Sequence, residues 1–262
     1  MRIIVCIKQV PGTTKVEIDA DTGVLKRDGI ASKMNPYDLY ALETGLRIKE
    51  QLSGTLTVVS MGPPQAEAVI REAYLMGADA GVLLSDREFA GSDVLATAYT
   101  LAQGIQSLGE FELIICGKQT TDGDTAQVGP AMAEFLNIPH VAWVSNITAI
   151  SAERIVVEQD LAESFEKVAM AYPCLITVEK GIVQPRLPSY RRKLATANRK
   201  VRVMKLVDLS DSNPAHYGLD GSATQVERVF PPETNRKQVL WDGAPAVVAD
   251  QILQVLRTGK FI

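Results

Sequence analysis

Ile114-Ile115-Cys116-Gly117-Lys118-Gln119-Thr120-Thr121-Asp122-Gly123-Asp124-Thr125-Ala126-Gln127-Val128-Gly129-Pro130 runs from an apolar strand into a polar, glycine-containing turn and on into a helical pattern. That succession builds an anion site, because a helix N-terminus presents unpaired N–H groups and a partial positive charge. Asp124 or Thr125 reads as the N-cap of a helix from Ala126 to Leu136, and Gly123 and Gly129 permit close approach of a ligand or a neighbouring element. An ordinary strand-to-helix turn with a capping aspartate has the same local signature, so the rest of the chain must decide between the two.

Upstream, strand-like and helix-like segments alternate. Arg2 to Ile7, Thr55 to Met61, Gly81 to Ser85 and Leu113 to Cys116 are short runs rich in Ile, Val and Leu, as parallel strands buried on both faces require. Between them, Asn35-Pro36 starts a helix to about Gln51. Ala66, Val69, Ile70, Ala73 and Met76 share one helical face, as do the apolar positions of Ser92 to Leu108. The pattern predicts an α/β fold: a doubly wound, mostly parallel sheet. Ligands of such sheets collect at the carboxyl ends of the strands, which here means Cys6 to Val10, Met61 to Pro63, Ser85 to Arg87 and Gly117 to Val128. Cys6 and Met61 would serve equally as core fillers and Lys8 as a solvated loop residue, so their convergence carries the functional reading.

From Val144 the texture changes. Val144 to Ile150, Arg154 to Leu161, Phe165 to Ala171 and Cys174 to Val178 are β segments separated by little more than turns, and an antiparallel extension of the sheet is expected. Lys180 to Pro188 is a loop with apolar residues between Gly181 and Pro185, and a basic stretch from Arg191 to Lys205 follows. The α/β domain, with the 180–188 loop, is taken as 1–209. An extended C-terminal arm, 210–262, is irregular to Gly243 and helical around Pro245 to Leu256, a form suited to lying against another subunit.

The net charge of −4 makes no case for nucleic acid or a membrane surface, and no apolar run is long enough to span a bilayer, which suggests a cytoplasmic protein. Three dispersed cysteines and two distant histidines imply neither a disulfide framework nor a metal site.

Taken together, Val5-Cys6-Ile7-Lys8-Gln9-Val10-Pro11, Met34-Asn35-Pro36-Tyr37-Asp38, Met61-Gly62-Pro63-Pro64, Gly117-Lys118-Gln119 through Gly129, and Pro173-Cys174-Leu175-Ile176-Thr177 resemble the β subunit of electron-transfer flavoproteins over nearly the whole chain. The resemblance implies pairing with an α subunit that holds an FAD, and a second adenine nucleotide in this subunit. That nucleotide is AMP in one branch of the family and FAD in the electron-bifurcating branch. The turn Asp122 to Gly129, with small or neutral Gly123, Ala126 and Val128, is similar to the bifurcating branch.

On this resemblance Cys6, Lys8, Asn35, Asp38, Met61, Lys118, Asp122, Asp124, Thr125, Ala126, Gln127 and Val128 surround FAD. No side chain serves as a catalytic acid, base or nucleophile. NADH and ferredoxin are the implied electron partners. Lys180, Gly181, Ile182, Val183 and Arg186 would meet an acyl-CoA or other flavin dehydrogenase, with Ile182 as the anchor. A β subunit carrying AMP is the alternative. A stand-alone adenine-nucleotide enzyme is more remote, since Lys8-Gln9-Val10-Pro11-Gly12 is not a phosphate loop.

Overall fold

The computed structural model describes residues 1–12, 17–18, 25–26, 32–227 and 239–262. Nine strands form one sheet: β1 (Arg2–Cys6), β2 (Thr55–Met61), β3 (Ala80–Leu84), β4 (Leu113–Gly117), β5 (His140–Ile150), β6 (Arg154–Leu161), β7 (Ser164–Ala171), β8 (Cys174–Val178) and β9 (Arg202–Met204). Their spatial order is β7-β6-β5-β8-β4-β1-β2-β3-β9. The run from β5 to β9 is parallel, and only the β5-β6-β7 pairings are antiparallel. In β1, Ile3 and Val5 enter one core and Ile4 and Cys6 the other. Burial on both faces is what its unbroken apolar run encodes.

The described residues hold six α-helices: α1 (Pro36–Leu52), α2 (Glu67–Met76), α3 (Val94–Gln106), α4 (Val128–Leu136), α5 (Tyr190–Thr196) and α6 (Pro245–Thr258). Leu42 and Leu46 of α1 and Ile70 and Ala73 of α2 close the first core, while Ala98, Leu101 and Ile105 of α3 and Met132 of α4 close the second. Each fully buried Leu or Ile contributes about 1.5–3 kcal/mol by leaving water.

The segment Cys174–Val178 does not belong to an antiparallel extension: β8 inserts between β4 and β5, parallel to both. Within the nine-stranded sheet only the β6–β7 hairpin and its pairing to β5 are antiparallel. The basic stretch contains α5 and a ninth strand, β9, on the far edge beside β3.

The chain divides into two compact units, 1–227 and 228–262, so the first unit runs on past 209. Residues beyond 209 are fastened down by side chains. Asp211 Oδ2 accepts from Tyr99 Oη at 2.6 Å and lies 2.5 Å from His216 Nδ1, and Asp93 Oδ2 accepts from Thr224 N at 2.8 Å. Residues 228–238 of the expected arm lie outside the described residues. In the second unit, α6 carries Val247, Ile252, Leu253 and Val255 exposed. No helix among the described residues is long and apolar enough to cross a membrane.

Candidate functional site

The chain steps from β1 outward to β2 and β3, then returns to place β4 on the other side of β1. The crevice between the carboxyl ends of β1 and β4 is therefore the topological switch point, where a ligand finds loops diverging to either side. Cys6 and Cys116 are register partners at its floor, both buried.

Asn35, fully buried at the N-terminus of α1, ties the two loops together. Its N–H donates to Lys8 O at 2.8 Å, its Nδ2 donates to Gln119 O at 2.9 Å, and its Oδ1 accepts from Thr121 N at 3.2 Å. The Asn35 side chain occupies the N-cap position without capping α1, since its amide is committed to the loop after β4. Asp38 Oδ2 accepts from Lys8 N at 2.7 Å. Burial pushes the Asp38 carboxyl up to about 7, against hydrogen bonds from Asn35 and Lys8 that favour the ion. Gly117 completes this contact: a Cβ there would lie 2.5 Å from Asp38 Oδ1 and 2.8 Å from the Tyr37 carbonyl carbon. Only glycine lets α1 approach the end of β4 this closely.

The turn ahead of α4 differs from its expected form. The helix starts at Val128 with Gln127 as N-cap, and no side chain caps it. Asp124 at φ +45° and Ala126 at φ +55° are both left-handed, which delays the helix by two residues relative to the Asp124 or Thr125 cap. Such positions cost on the order of 1–3 kcal/mol each in a non-glycine residue and persist only where surroundings impose them. Alternating left- and right-handed residues turn successive N–H groups toward one concavity, an anion-binding arrangement. Among the described residues, the N–H groups of Thr125, Ala126, Gln127 and Val128 have no hydrogen-bond acceptor. Gly129 sets α4 against β8, since a Cβ there would meet Thr177 Cγ2 at 2.6 Å. Gly123 is less constrained: its nearest neighbour would be Thr120 Oγ1 at 3.3 Å.

Both lysines at the crevice carry a carboxylate partner. Lys8 Nζ lies 2.8 Å from Asp122 Oδ1, and although burial pushes the Asp122 carboxyl up, Lys8 holds it below its ordinary value. Lys118 Nζ lies 2.5 Å from Glu179 Oε1 and 4.8 Å from the ring centroid of Trp143. Met61 packs half-buried against the second core beneath the same edge. The loops thus bring Cys6, Lys8, Asn35, Asp38, Met61, Asp122 and the 124–128 turn to one crevice, with Lys118 leaving the same strand end. The donors fit a nucleotide phosphate: backbone N–H groups, a helix N-terminus, and lysines whose charge is internally balanced.

The loop from Lys180 to Pro188 is arranged differently from its expected form. Ile182 is half-buried against the first core. Arg186 points inward: its Nε and Nη2 donate to Glu43 at 2.8 and 3.1 Å, and its Nη1 and Nη2 to Glu50 at 2.6 and 3.1 Å. Lys180 and Gly181 are exposed and Val183 is half-buried. The exposed apolar side chains stand just beyond: Leu187 at 87%, Tyr190 at 73% and Leu194 at 65%. Tyr190 and Leu194 are i, i+4 on α5, a helical signal within the basic stretch that could have found them. Trp143 and Glu179, which meet at Lys118, carry no motif in the sequence.

Comparison with known proteins gives the family. Residues 22–209 match the electron transfer flavoprotein domain. The chain is 43% identical over 245 residues, 93% of each chain, to the electron transfer flavoprotein subunit beta of Thermoanaerobacterium thermosaccharolyticum. It is 42% identical over 233 residues, 88% of each chain, to the caffeyl-CoA reductase-Etf complex subunit CarD of Acetobacterium woodii. To the protein FixA of Azotobacter vinelandii it is 40% identical over 243 residues, 91% of this chain and 86% of the other. With a family domain matched over residues 22–209 and relatives of this kind over nearly its whole length, the chain belongs to the electron-transfer flavoprotein β-subunit family.

Proposed function

We propose that this chain is the β subunit of an electron-bifurcating flavoprotein and holds FAD in the β1–β4 crevice. The observation that carries the reading is the turn ahead of α4. A diphosphate needs several N–H donors and little added negative charge, and Thr125 to Val128 supply the donors with Asp124 as the one carboxylate in the turn not paired to a lysine. The Thr125 hydroxyl and these N–H groups would hold phosphate. Cys6, Lys8, Asn35, Asp38 and Met61 would surround adenine and ribose, and Lys118 would face the far side of the phosphates. Bound there, a flavin supplies two-electron exchange with a nicotinamide and one-electron exchange with the FAD of an α subunit and a carrier such as ferredoxin. The protein fixes its position and excludes water. Similarity to a subunit named for a caffeyl-CoA reductase-Etf complex supports a CoA-ester dehydrogenase or reductase as partner.

The docking surface for that partner is the face of Leu187, Tyr190 and Leu194, flanked by Lys180, Arg191 and Lys193, which suits an apolar pocket with an acidic rim. The exposed apolar residues of α6 are proposed to pack on the α subunit. Denaturing the purified heterodimer and separating the released nucleotides tests the cofactor: two FAD and no AMP per heterodimer is expected, and one FAD with one AMP overturns it in favour of a structural nucleotide.

A further inference from the structure

At the end of the sheet opposite the crevice, residues 199–202 run beside the amino end of β3, and a cavity of about 320 Å³ opens between them, Thr57 of β2 and Leu108 just past α3. Internal bonds fix its walls and use up some of the polar groups there. Arg199 Nη1 donates to Ala78 O at 2.8 Å and to Asp79 O at 3.1 Å, and its guanidinium carbon lies 5.2 Å from the centroid of the Tyr74 ring. Tyr74 Oη donates to Lys200 O at 3.1 Å. Asp79, the carboxylate on the wall, is held by Lys49 Nζ at 2.6 Å and accepts from Leu56 N at 2.8 Å. Other polar groups are left over. The side chains of Lys200 and Arg202 and the hydroxyl of Thr57 line the cavity with no ion-pair or hydrogen-bond partner among the described residues, and both cations are exposed. Val82 and Leu108 supply an apolar wall.

Positive charge concentrates here against the trend of the chain. The formal net charge is −4, yet Tyr190 to Val207 holds seven Lys and Arg and no Asp or Glu. With Asp79 spent on Lys49, nothing on the cavity wall offsets Lys200 and Arg202. A cleft lined by one sign of charge focuses its field and draws in the opposite ion. An arginine fork matches the two oxygens of a carboxylate or phosphate, and a lysine adds a point charge. The volume lies at the low end of the roughly 300–1,000 Å³ of small-molecule sites, which suits a molecule smaller than a dinucleotide. We infer that this cavity is a second ligand site for a small organic anion: a carboxylate or phosphate head held by Arg202, Lys200 and the Thr57 hydroxyl, with an apolar group against Val82 and Leu108. The inference is independent of which nucleotide the crevice holds, because the two sites lie at opposite ends of the parallel strands.

The test uses the complex with its α subunit as purified, with its own nucleotides bound, titrated calorimetrically with octanoate and with butyl phosphate. Acetate and inorganic phosphate serve as the same heads without an apolar group. At least one of the two organic anions should saturate a single site per complex, and the tighter of them identifies the head group. Its bare head should bind at least about 10-fold more weakly, since it leaves Val82 and Leu108 facing water. Arg202→Gln should weaken the tighter anion at least about 10-fold and Lys200→Gln at least about threefold, as loss of charge-assisted hydrogen bonds predicts. Neither side chain is bonded within the described structure, so both variants should keep the wild-type urea midpoint. Failure of both organic anions to saturate overturns the inference, as does wild-type affinity in both variants. A bare head that binds as tightly as its organic counterpart reduces the site to adventitious ion binding and overturns it too.

Discussion

Replacing Arg186 by methionine should unfold the loop from its own domain before it affects any partner. Glu43 sits on α1 with its side chain 3% exposed and accepts from Arg186 Nε, Nη2 and N. Removing one member of a buried ion pair costs about 3–5 kcal/mol because the other charge is left without water or partner. Arg47 Nε, 3.0 Å from Glu43 Oε1, remains and offsets part of this. Glu50 is half-exposed, and its share falls in the surface range of about 0–1 kcal/mol. Arg186→Met should therefore destabilise by about 2–4 kcal/mol and Glu50→Gln by less than about 1 kcal/mol. Glu43→Gln with Arg186→Met should cost less than the sum of the two single changes, since the double variant strands no charge. Burial pushes the Glu43 carboxyl up, but Arg186 and Arg47 outweigh it and hold it below its ordinary 4.5. The pair's contribution is thus full above pH 4.5 and fades as the pH falls through the lower folded value, so the gap between wild type and Arg186→Met should narrow in acid. Urea unfolding followed by circular dichroism at pH 7 and at pH 4 measures both effects. A loss within about 0.5 kcal/mol at pH 7, the range of an ordinary surface substitution, would refute the clamp and return Arg186 to the role of a solvent-facing rim charge.

Asp38, raised by burial to about 7, weakens the fold once ionised, so stability from this group is full below pH 3.8 and is lost as the pH rises through 7. Asp38→Asn should therefore flatten the decline in unfolding free energy between pH 5 and 8 by roughly 2–3 kcal/mol, and parallel wild-type and variant curves would count against it. Gly117→Ala would push a methyl into Asp38 and the Tyr37 backbone and should cost about 1–3 kcal/mol by overpacking. It should also lower nucleotide retention on gel filtration, and full retention would mean that the crevice tolerates widening. Leu187→Asp and Tyr190→Asp, both at exposed positions, should leave stability nearly unchanged yet reduce electron delivery to the partner dehydrogenase at least about 10-fold, as loss of an apolar anchor predicts. Stopped-flow reduction of bound flavin by NADH, run beside a coupled dehydrogenase assay, separates docking from flavin chemistry, and a parallel fall in both would reject the surface.

The elements with strong local periodicity were legible. Thr55–Met61 was bounded to the residue, and the other three early strands to within one residue at each end, because a strand buried on both faces is an unbroken apolar run flanked by polar turns. What periodicity does not encode is the partner of a strand. Cys174–Val178 looks the same whether it ends a meander or, as here, slots between β4 and β5. The three residues of β9 are too few to show any period. Side-chain commitments were equally hidden: Arg186 in a polar loop reads as a rim charge, and only the fold brings buried Glu43 under it. The helix start was misplaced for a definable reason. Asp124 and Thr125 are good caps by type, but the left-handed backbone at Asp124 and Ala126 postpones the helix to Val128 and leaves Gln127, a poor cap, at its entrance.

That misplacement bears on how the crevice attracts an anion. Had Asp124 or Thr125 capped the helix, a side-chain oxygen would already hold one of the N–H groups a phosphate needs. With Gln127 in place and no side chain capping the first turn, the donors of Thr125 to Val128 have no acceptor among the described residues. Lys8 and Lys118 add little net charge, because Asp122 and Glu179 neutralise them at 2.8 and 2.5 Å. The attraction therefore rests on fixed backbone dipoles and the helix terminus, whose field falls off within a turn, more than on mobile cations. Such a site discriminates by shape. On the proposed reading, phosphate would sit at these amides and a carboxylate side chain brought nearer would be repelled, a requirement that small Gly123 and Ala126 suit and that leaves a fainter signature than a lysine-bearing phosphate loop.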